Sequence, residues 1–124
     1  MARKVLIADD SSSIRMMLRS VLVDAGYDVA DVADGSLAVG EADQFCPELV
    51  ITDLNMPNMD GVELIKALRS KASFRFIPIL VLSTEGQQEK IQRGREAGAT
   101  GWLIKPFQPE KLLAVVRKVL PDRI

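Results

Sequence analysis

Side chains with reactive oxygen or nitrogen atoms follow four apolar segments of this chain, each at the point where the segment ends. These residues are Asp9 and Asp10, Asp53, Ser83 and Thr84, and Lys105. The chain contains no histidine, which removes the commonest general base and a frequent metal ligand. Carboxylates, hydroxyls and lysines must therefore carry whatever chemistry occurs.

The three carboxylates indicate a site for a hard cation. Asp9, Asp10 and Asp53 would repel one another if brought within a few ångströms, unless a cation lay among them. Oxygen ligands without histidine or cysteine favour Mg²⁺, with Mn²⁺ as the alternative. Such a site suits phosphoryl transfer, with Asp53 as the nucleophile and Lys105 as a positive charge beside the developing oxyanions. A serine hydroxyl can then hydrogen-bond the product, an aspartyl phosphate.

Each of these residues also has a purely structural explanation. Asp10 can cap a helix, Ser83 can close a turn, and Lys105 can be a solvated cation. Their shared position at the ends of strands is harder to explain by the needs of folding. Because a parallel sheet brings the carboxyl ends of its strands to one rim, we expect these residues to lie together there.

Five segments of the chain predict strands. Residues 5–8, 49–51, 79–82 and 102–104 are apolar runs without a helical period, which is typical of strands inside a parallel sheet. Residues 27–33 alternate polar and apolar side chains and predict an edge strand. Helical segments alternate with them, so the sequence predicts an α/β fold with five strands, five helices and right-handed crossovers.

The helical segment at residues 87–97 differs from the others in its composition. Only Ile91, Gly94 and Ala97 are small or apolar, and the remaining positions are polar or charged. We expect this helix to be weakly anchored by burial and to be the easiest element to displace.

Length, charge and cysteine content restrict the class of protein. A chain of 124 residues fits a single domain, 1–124, with a substantial core. A net charge of −1 gives no global attraction to nucleic acid or to an anionic membrane. The single cysteine, Cys46, excludes an internal disulfide and is expected to be a small buried apolar residue. Without a signal pattern or a long apolar span, the sequence favours the cytoplasm.

Four short motifs contain the residues singled out above. They are ADD at 8–10, ITDLNMPNMDG at 51–61, LSTEG at 82–86 and WLIKPF at 102–107. Together they resemble the response-regulator receiver domain of two-component systems, and especially its stand-alone, CheY-like form in chemotaxis. The resemblance covers essentially the whole chain. It implies a doubly wound, flavodoxin-like sheet with strand order 2-1-3-4-5 flanked by five helices.

The resemblance also implies a chemical role for the acidic residues. Asp53 would accept a phosphoryl group from a histidine kinase. Mg²⁺ would be held by Asp10, Asp53 and the backbone carbonyl of Asn55, with Asp9 acting mainly through water. Lys105 would pair with the phosphoryl group.

A switch is implied as well. Ser83 would be the switch hydroxyl, and Trp102 the aromatic residue that changes rotamer with it. The alternative for Trp102 is an edge-strand aromatic residue packed against the last helix. Thr84 stands where many members carry a smaller residue, which is expected to affect the kinetics. The Lys105–Pro106 peptide is expected to be cis.

The implied activity is that of a phosphoacceptor switch, with self-catalysed phosphorylation and dephosphorylation only. We expect a monomer that binds a histidine kinase and a downstream target protein. The target would contact the 87–97 helix, Trp102 and the outer face of the last helix, which includes Lys111 and Arg117.

Two other classes are disfavoured by the residues. A Mg²⁺-dependent phosphohydrolase with an aspartyl-phosphate intermediate would need a second acid two residues after Asp53, where the chain has Asn55. A nucleotide or flavin binder would need a glycine-rich phosphate loop after Ala8, and the sequence has none there.

Overall fold

The computed structural model describes residues 2–84, 86 and 88–121. Within them, strands and helices alternate from end to end. The elements are β1 Lys4–Ala8, α1 Ser12–Asp24, β2 Asp28–Val32, α2 Gly35–Phe45, β3 Leu49–Asp53, α3 Gly61–Arg69, β4 Ile79–Ser83, α4 Gln88–Ala97, β5 Gly101–Ile104 and α5 Pro109–Val119, with a short 3-10 helix at Ala72–Phe74. The α/β class is confirmed, and Gln87, the first residue predicted for the fourth helix, lies outside the described residues.

The five strands form one parallel sheet in the order β2-β1-β3-β4-β5. This confirms the order implied by the resemblance and the edge position of the strand with alternating polarity. Ala8 pairs with Thr52, Asp53 with Leu82 and Ser83 with Ile104, counted as Cα partners across the ladders. The carboxyl ends of β1, β3, β4 and β5 are therefore level, and the residues that follow them share one rim.

Helices cover both faces of the sheet because successive strand residues point to opposite faces. In β3, Ile51 belongs to the hydrophobic cluster of α1 and α5, and Val50 to the cluster of α2 and α3. All five residues of β3 are buried. This explains why the strand reads as an apolar run without alternation.

Helix α4 has little buried surface, as expected. Gly94 is its only buried residue among those that the structure describes. A Cβ placed on Gly94 would lie 3.8 Å from the side chains of Ile65 of α3 and of Leu54, so the helix is in ordinary van der Waals contact with them there. Ile91 and Ala97 of α4 are partly buried and pack against the hydrophobic cluster of α2 and α3.

The prediction that Cys46 is buried is wrong, because its side chain is exposed. Cys46 follows the last turn of α2 in the left-handed conformation, with φ 55° and ψ 59°. Its backbone N–H donates to the carbonyl of Ala42 and so closes the helix. Glycine and asparagine are the usual residues in this conformation at a helix end, and the side chain of Cys46 lies outside the core.

Candidate functional site

Asp9, Asp10 and Asp53 meet at the rim of the sheet. One carboxylate oxygen from each lies within 4.8 Å of the others. Asp9 is fully buried, Asp53 is 7% exposed as a whole residue, and Asp10 is exposed. The backbone N–H of Ser11 donates to Asp9 at 2.9 Å, and that of Leu54 donates to Asp53 at 2.9 Å. The backbone therefore fixes the two buried carboxylates, while Asp10 faces solvent.

Lys105 reaches the same cluster from the end of β5. Its Nζ lies 3.2 Å from Oδ2 of Asp9 and 3.4 Å from Oδ1 of Asp53. Its backbone N–H donates to the carbonyl of Ser83 at 2.7 Å, which continues the β4–β5 ladder beyond the strand. The expected cis peptide between Lys105 and Pro106 is confirmed.

The cluster carries more negative charge than one lysine offsets. Burial raises the pKa of Asp53, and the negative charge of Asp9 raises it further. The charge of Lys105 and the hydrogen bond from Leu54 act in the opposite direction without cancelling the rise. The ionised form of Asp53 is therefore less stable here than in a solvated aspartate, as expected where a cation would complete the site.

Ser83 is buried at the carboxyl end of β4, beside the strand that carries Asp53. Its Oγ has no hydrogen-bond partner among the residues that the structure describes. Most buried hydroxyls in proteins are hydrogen-bonded, so an unsatisfied one needs an explanation. Thr84 follows it with an exposed side chain.

Asn55 lies in the loop between β3 and α3, where its side chain meets a residue that the sequence did not single out. The carboxamide oxygen of Asn55 accepts a hydrogen bond from Nζ of Lys90 on α4. Both residues, with Asp10 and Asp60, line one surface cavity at the rim. The contact links the weakly buried helix to the loop beside the acidic cluster.

Trp102 lies between two helices at the edge of the sheet. The guanidinium carbon of Arg95 on α4 is 4.2 Å from the centroid of its ring, a cation–π contact. Its other neighbours include Val115 and Val119 of α5, with which it lines a cavity. The ring therefore contacts α4 and borders a cavity that it shares with α5, and 38% of the residue is exposed.

Two further cations near the site were missed by sequence reasoning. Arg15 on α1 donates to the carbonyl of Asp9 at 2.6 Å, and Lys90 contacts Asn55 as described. Both occupy helix positions that read as ordinary solvated charges. Only the distances in the folded chain distinguish them, so the sequence offered no signal.

A doubly wound parallel sheet with an acidic cluster at the carboxyl ends of its strands defines a flavodoxin-like α/β protein. Residues 5–117 match the family model described as the response regulator receiver domain. The chain belongs to the response-regulator receiver family of two-component systems.

Individual relatives agree with this assignment. The chemotaxis protein CheY of Bacillus subtilis is 36% identical over 122 residues, which are 97% of this chain and 99% of that protein. The structure of the chemotaxis protein CheY4 of Vibrio cholerae has a TM-score of 0.92 at 48% identity and covers 97% of this chain and 100% of that one. The predicted CheY-like character is confirmed.

A more distant structure shares the fold and contains a metal ion. It is the receiver domain of the sensor histidine kinase PA1611 from Pseudomonas aeruginosa, which has a magnesium ion coordinated in its active-site cleft. The TM-score is 0.90 at 24% identity, over 98% of this chain and 100% of that one. This chain spans about half the length of the first curated relatives it matches, which are transcriptional regulatory proteins (52%). Within the described part of the chain, no helix is both long and apolar enough to cross a bilayer.

Proposed function

We propose that this chain accepts a phosphoryl group from a histidine kinase on Asp53, with Mg²⁺, and passes the signal on by contact with a target protein. The observation that carries the proposal is the approach of Asp9, Asp10, Asp53 and Lys105 at the end of β3. Oxygens of the three carboxylates lie within 4.8 Å, and a lysine ammonium lies 3.4 Å from Asp53. Similarity to chemotaxis proteins supports a role in chemotaxis.

The donor set fits Mg²⁺, which prefers oxygen ligands and retains several waters. Asp10, Asp53 and the backbone carbonyl of Asn55 would hold the ion, and Asp9 would act mainly through water. When bound, a divalent cation offsets the repulsion between these carboxylates and an incoming phosphoryl group. The raised pKa of Asp53, caused first by burial and then by Asp9, is what a site short of positive charge would show. Mn²⁺ would suit the same ligands.

The residues of this chain have separate roles in the proposed transfer. An oxygen of Asp53 attacks phosphorus, the phosphorus–nitrogen bond of phosphohistidine breaks, and the imidazole leaves with the bonding electrons as a neutral ring whose other nitrogen carries the proton. Lys105 donates to the phosphoryl oxygens. Ser83, with an unsatisfied hydroxyl, donates to the phosphoryl group once it is in place. Self-catalysed hydrolysis would return Asp53 to the carboxylate.

The signal requires more than one contact. A hydrogen bond from Ser83 to a charged oxygen contributes about 1.5–3 kcal/mol, whereas reversing a 1:99 population takes about 5.5 kcal/mol. We therefore assign the switch to Ser83 and Lys105 acting together on α4. Trp102 would respond to it, and the target would bind α4, Trp102 and the outer face of α5, where Lys111 and Arg117 are exposed.

Four further expectations remain part of the proposal. Residues 1–124 would act as one receiver unit, as a monomer, and in the cytoplasm. Thr84, next to the switch hydroxyl, would modulate the rate of phosphorylation or hydrolysis.

The test is transfer of labelled phosphate from purified histidine kinases in the presence of Mg²⁺. We expect label on the native chain and none on Asp53→Asn. Asp60→Asn is the matched control, because it changes an acid of the same loop and retains an N-cap residue. Label on Asp53→Asn would refute the assignment.

A second assay separates a switch from a phosphohydrolase. With acetyl phosphate or beryllofluoride and Mg²⁺, a switch gives a stoichiometric change in Trp102 fluorescence that decays slowly. Multiple turnover of acetyl phosphate or another small phosphate ester would favour the hydrolase instead.

A further inference from the structure

Asp34 and Asn58 connect the turn before α2 to the loop before α3. Asp34 is 9% exposed. Its Oδ1 accepts hydrogen bonds from the backbone N–H of Leu37 at 2.8 Å and from the hydroxyl of Ser36 at 2.7 Å. Its Oδ2 accepts one from Nδ2 of Asn58 at 3.0 Å. One oxygen therefore caps α2, and the other is left for the neighbouring loop.

A second contact fixes the two segments beside this bond. A Cβ on Gly35 would lie 2.3 Å from the carbonyl oxygen of Met59, so the two backbones touch where only glycine fits. Asn58 itself has φ 68°, a left-handed conformation that asparagine adopts more readily than most residues. The loop is thus held at Asn58 and Met59.

The same loop is fixed at its other end. The backbone N–H of Leu54 donates to Asp53, and the carbonyl of Leu54 accepts from the N–H of Gly61 at 2.9 Å. Asn55 lies between these fixed points, one residue after Leu54 and three before Asn58. Its backbone carbonyl is the only proposed Mg²⁺ ligand that does not come from a side chain.

We infer that Asp34 is a positioning residue for the metal site, which through Asn58 holds the loop that presents the Asn55 carbonyl to Mg²⁺. The inference rests on the proposed function. A backbone ligand cannot adjust by rotating a side chain, so its position depends on how firmly the loop is held. The hydrogen bond from Leu37, followed by those from Ser36 and Asn58, lowers the pKa of Asp34. The carboxylate is therefore ionised at neutral pH, and the bond to Asn58 is charge-assisted.

The test depends on the different partners of the two oxygens of Asp34: Oδ1 caps α2, and Oδ2 accepts from Asn58. In Asp34→Asn an amide oxygen can still cap α2, but the charge-assisted bond to Asn58 is lost, because the amide NH₂ at position 34 can pair with Asn58 only after that carboxamide turns over to offer its oxygen in a weaker, neutral bond. We expect the Mg²⁺ dissociation constant, measured by calorimetry with the metal alone, to rise about tenfold. Ser36→Ala, which removes a partner from the other oxygen, should leave the constant unchanged.

Exchanging the two residues provides a rescue. In the double variant Asp34→Asn with Asn58→Asp, the amide at 34 can donate to a carboxylate at 58, and the total charge is unchanged. We expect Mg²⁺ affinity to return to within about threefold of the native value, a difference of roughly 0.7 kcal/mol. A purely structural role for Asp34 at the α2 cap would give no such rescue.

A readout without metal separates this inference from the proposed function. In EDTA, Asp34→Asn should increase amide exchange at Asn55 and Met56 and leave α2 unchanged. Unchanged exchange, or Mg²⁺ affinity equal to that of the native chain, would overturn the inference. If the native chain bound no Mg²⁺, the proposed function would be wrong. The proposed role of Asp34 in positioning the metal site would then also be wrong, even if amide exchange at Asn55 and Met56 increased.

Discussion

At the scale of single residues, Ser83 is the clearest sign that the site has a second state. Leaving a buried hydroxyl unsatisfied costs about 1–3 kcal/mol. Ser83 Oγ is in this situation within the described part of the chain, although the backbone carbonyl of Ser83 accepts a hydrogen bond from the N–H of Lys105. A phosphoryl group on Asp53 would supply the missing acceptor.

Replacing Ser83 by alanine should therefore separate stability from signalling. We expect Ser83→Ala to unfold in urea with a free energy equal to or up to about 1 kcal/mol above that of the native chain. In the phosphorylated form, the bias towards the signalling state should fall by about 1.5–3 kcal/mol, or roughly ten- to 100-fold. Binding of beryllofluoride followed by Trp102 fluorescence measures the second effect. A variant that is destabilised without phosphate would show that the hydroxyl has a partner in the resting state.

The sequence identified the site residues that follow strands, and it missed those on helices. Asp53 and Lys105 were found because the end of a parallel strand is a known place for chemistry. Asp34 was not singled out, although an acid before Gly35 at the start of a helix is a typical N-cap. Its bond to Asn58 joins positions 24 residues apart, and no local pattern predicts it.

At the scale of elements, α4 is held differently at its two ends. At its carboxyl end, the guanidinium of Arg69 donates to the carbonyl of Gly98 at 2.8 Å and to those of Phe74 and Ile77 at 2.8 and 2.7 Å. Near its amino end, Lys90 bonds to Asn55. The first set of bonds is partly buried, and the second is exposed beside the proposed phosphorylation site. Helix α4 should therefore pivot at its carboxyl end.

Removing the Arg69 contacts should release that end. Arg69→Met leaves the carbonyls of Phe74, Ile77 and Gly98 without their shared donor, and we expect a loss of about 2–3 kcal/mol in the free energy of unfolding. Amide exchange should increase in the last turn of α4. Arg93 is an exposed cation on α4. As the control, Arg93→Met should change the free energy of unfolding by less than about 0.5 kcal/mol. Equal effects of the two variants would contradict the pivot.

Removing the Lys90 contact should increase amide exchange at the amino end of α4 and leave the carboxyl end unchanged. In Lys90→Met we expect exchange in the first described turn of α4 to rise about two- to tenfold, the effect of losing one exposed hydrogen bond. The last turn should be unchanged, because its contacts with Arg69 remain. Lys90→Arg, which keeps the charge and a donor, is the control. A uniform increase along α4 would show that Lys90 stabilises the helix as a whole.

The elements themselves were predictable from hydrophobic patterning, but the ends of the strands were not. The apolar runs stop at Ile51 and Leu82, whereas β3 and β4 continue to Asp53 and Ser83. Polar side chains end an apolar run without ending the ladder, since ladder bonds join backbone groups. The two functional residues are consequently part of the rigid sheet and do not belong to the loops.

At the scale of the whole molecule, the fold concentrates negative charge on one rim of a chain that is nearly neutral. The net charge is −1, yet three carboxylates lie together at the rim, and one ammonium group, that of Lys105, contacts two of them. The folded chain must therefore tolerate repulsion at the rim, and we expect the site to weaken the fold when no cation is bound.

The destabilising repulsion among the rim carboxylates should appear in the pH dependence of the free energy of unfolding. The pKa of Asp53 is raised above its ordinary value of 3.8 by burial and by Asp9, so the folded chain binds a proton at this carboxylate more tightly than the unfolded chain does. In EDTA, the stabilisation from this group is present below the unfolded pKa and is lost as the pH rises through the folded one. We expect Asp53→Asn, which has no charge to lose, to be more stable than the native chain at neutral pH by about 1 kcal/mol. The difference should disappear towards about pH 3.8 and below.

Magnesium should reverse the order of stability, so that the native chain becomes more stable than Asp53→Asn. A ligand at 100 times its dissociation constant stabilises the folded state by about 2.7 kcal/mol, and the native chain binds Mg²⁺ with one carboxylate more than Asp53→Asn. Urea denaturation at neutral pH, in EDTA and then in saturating Mg²⁺, measures the free energies of unfolding of the native chain and of Asp53→Asn under both conditions. If the native chain were the more stable of the two even in EDTA, Lys105 would already balance the acids, and the rim would not need a divalent cation.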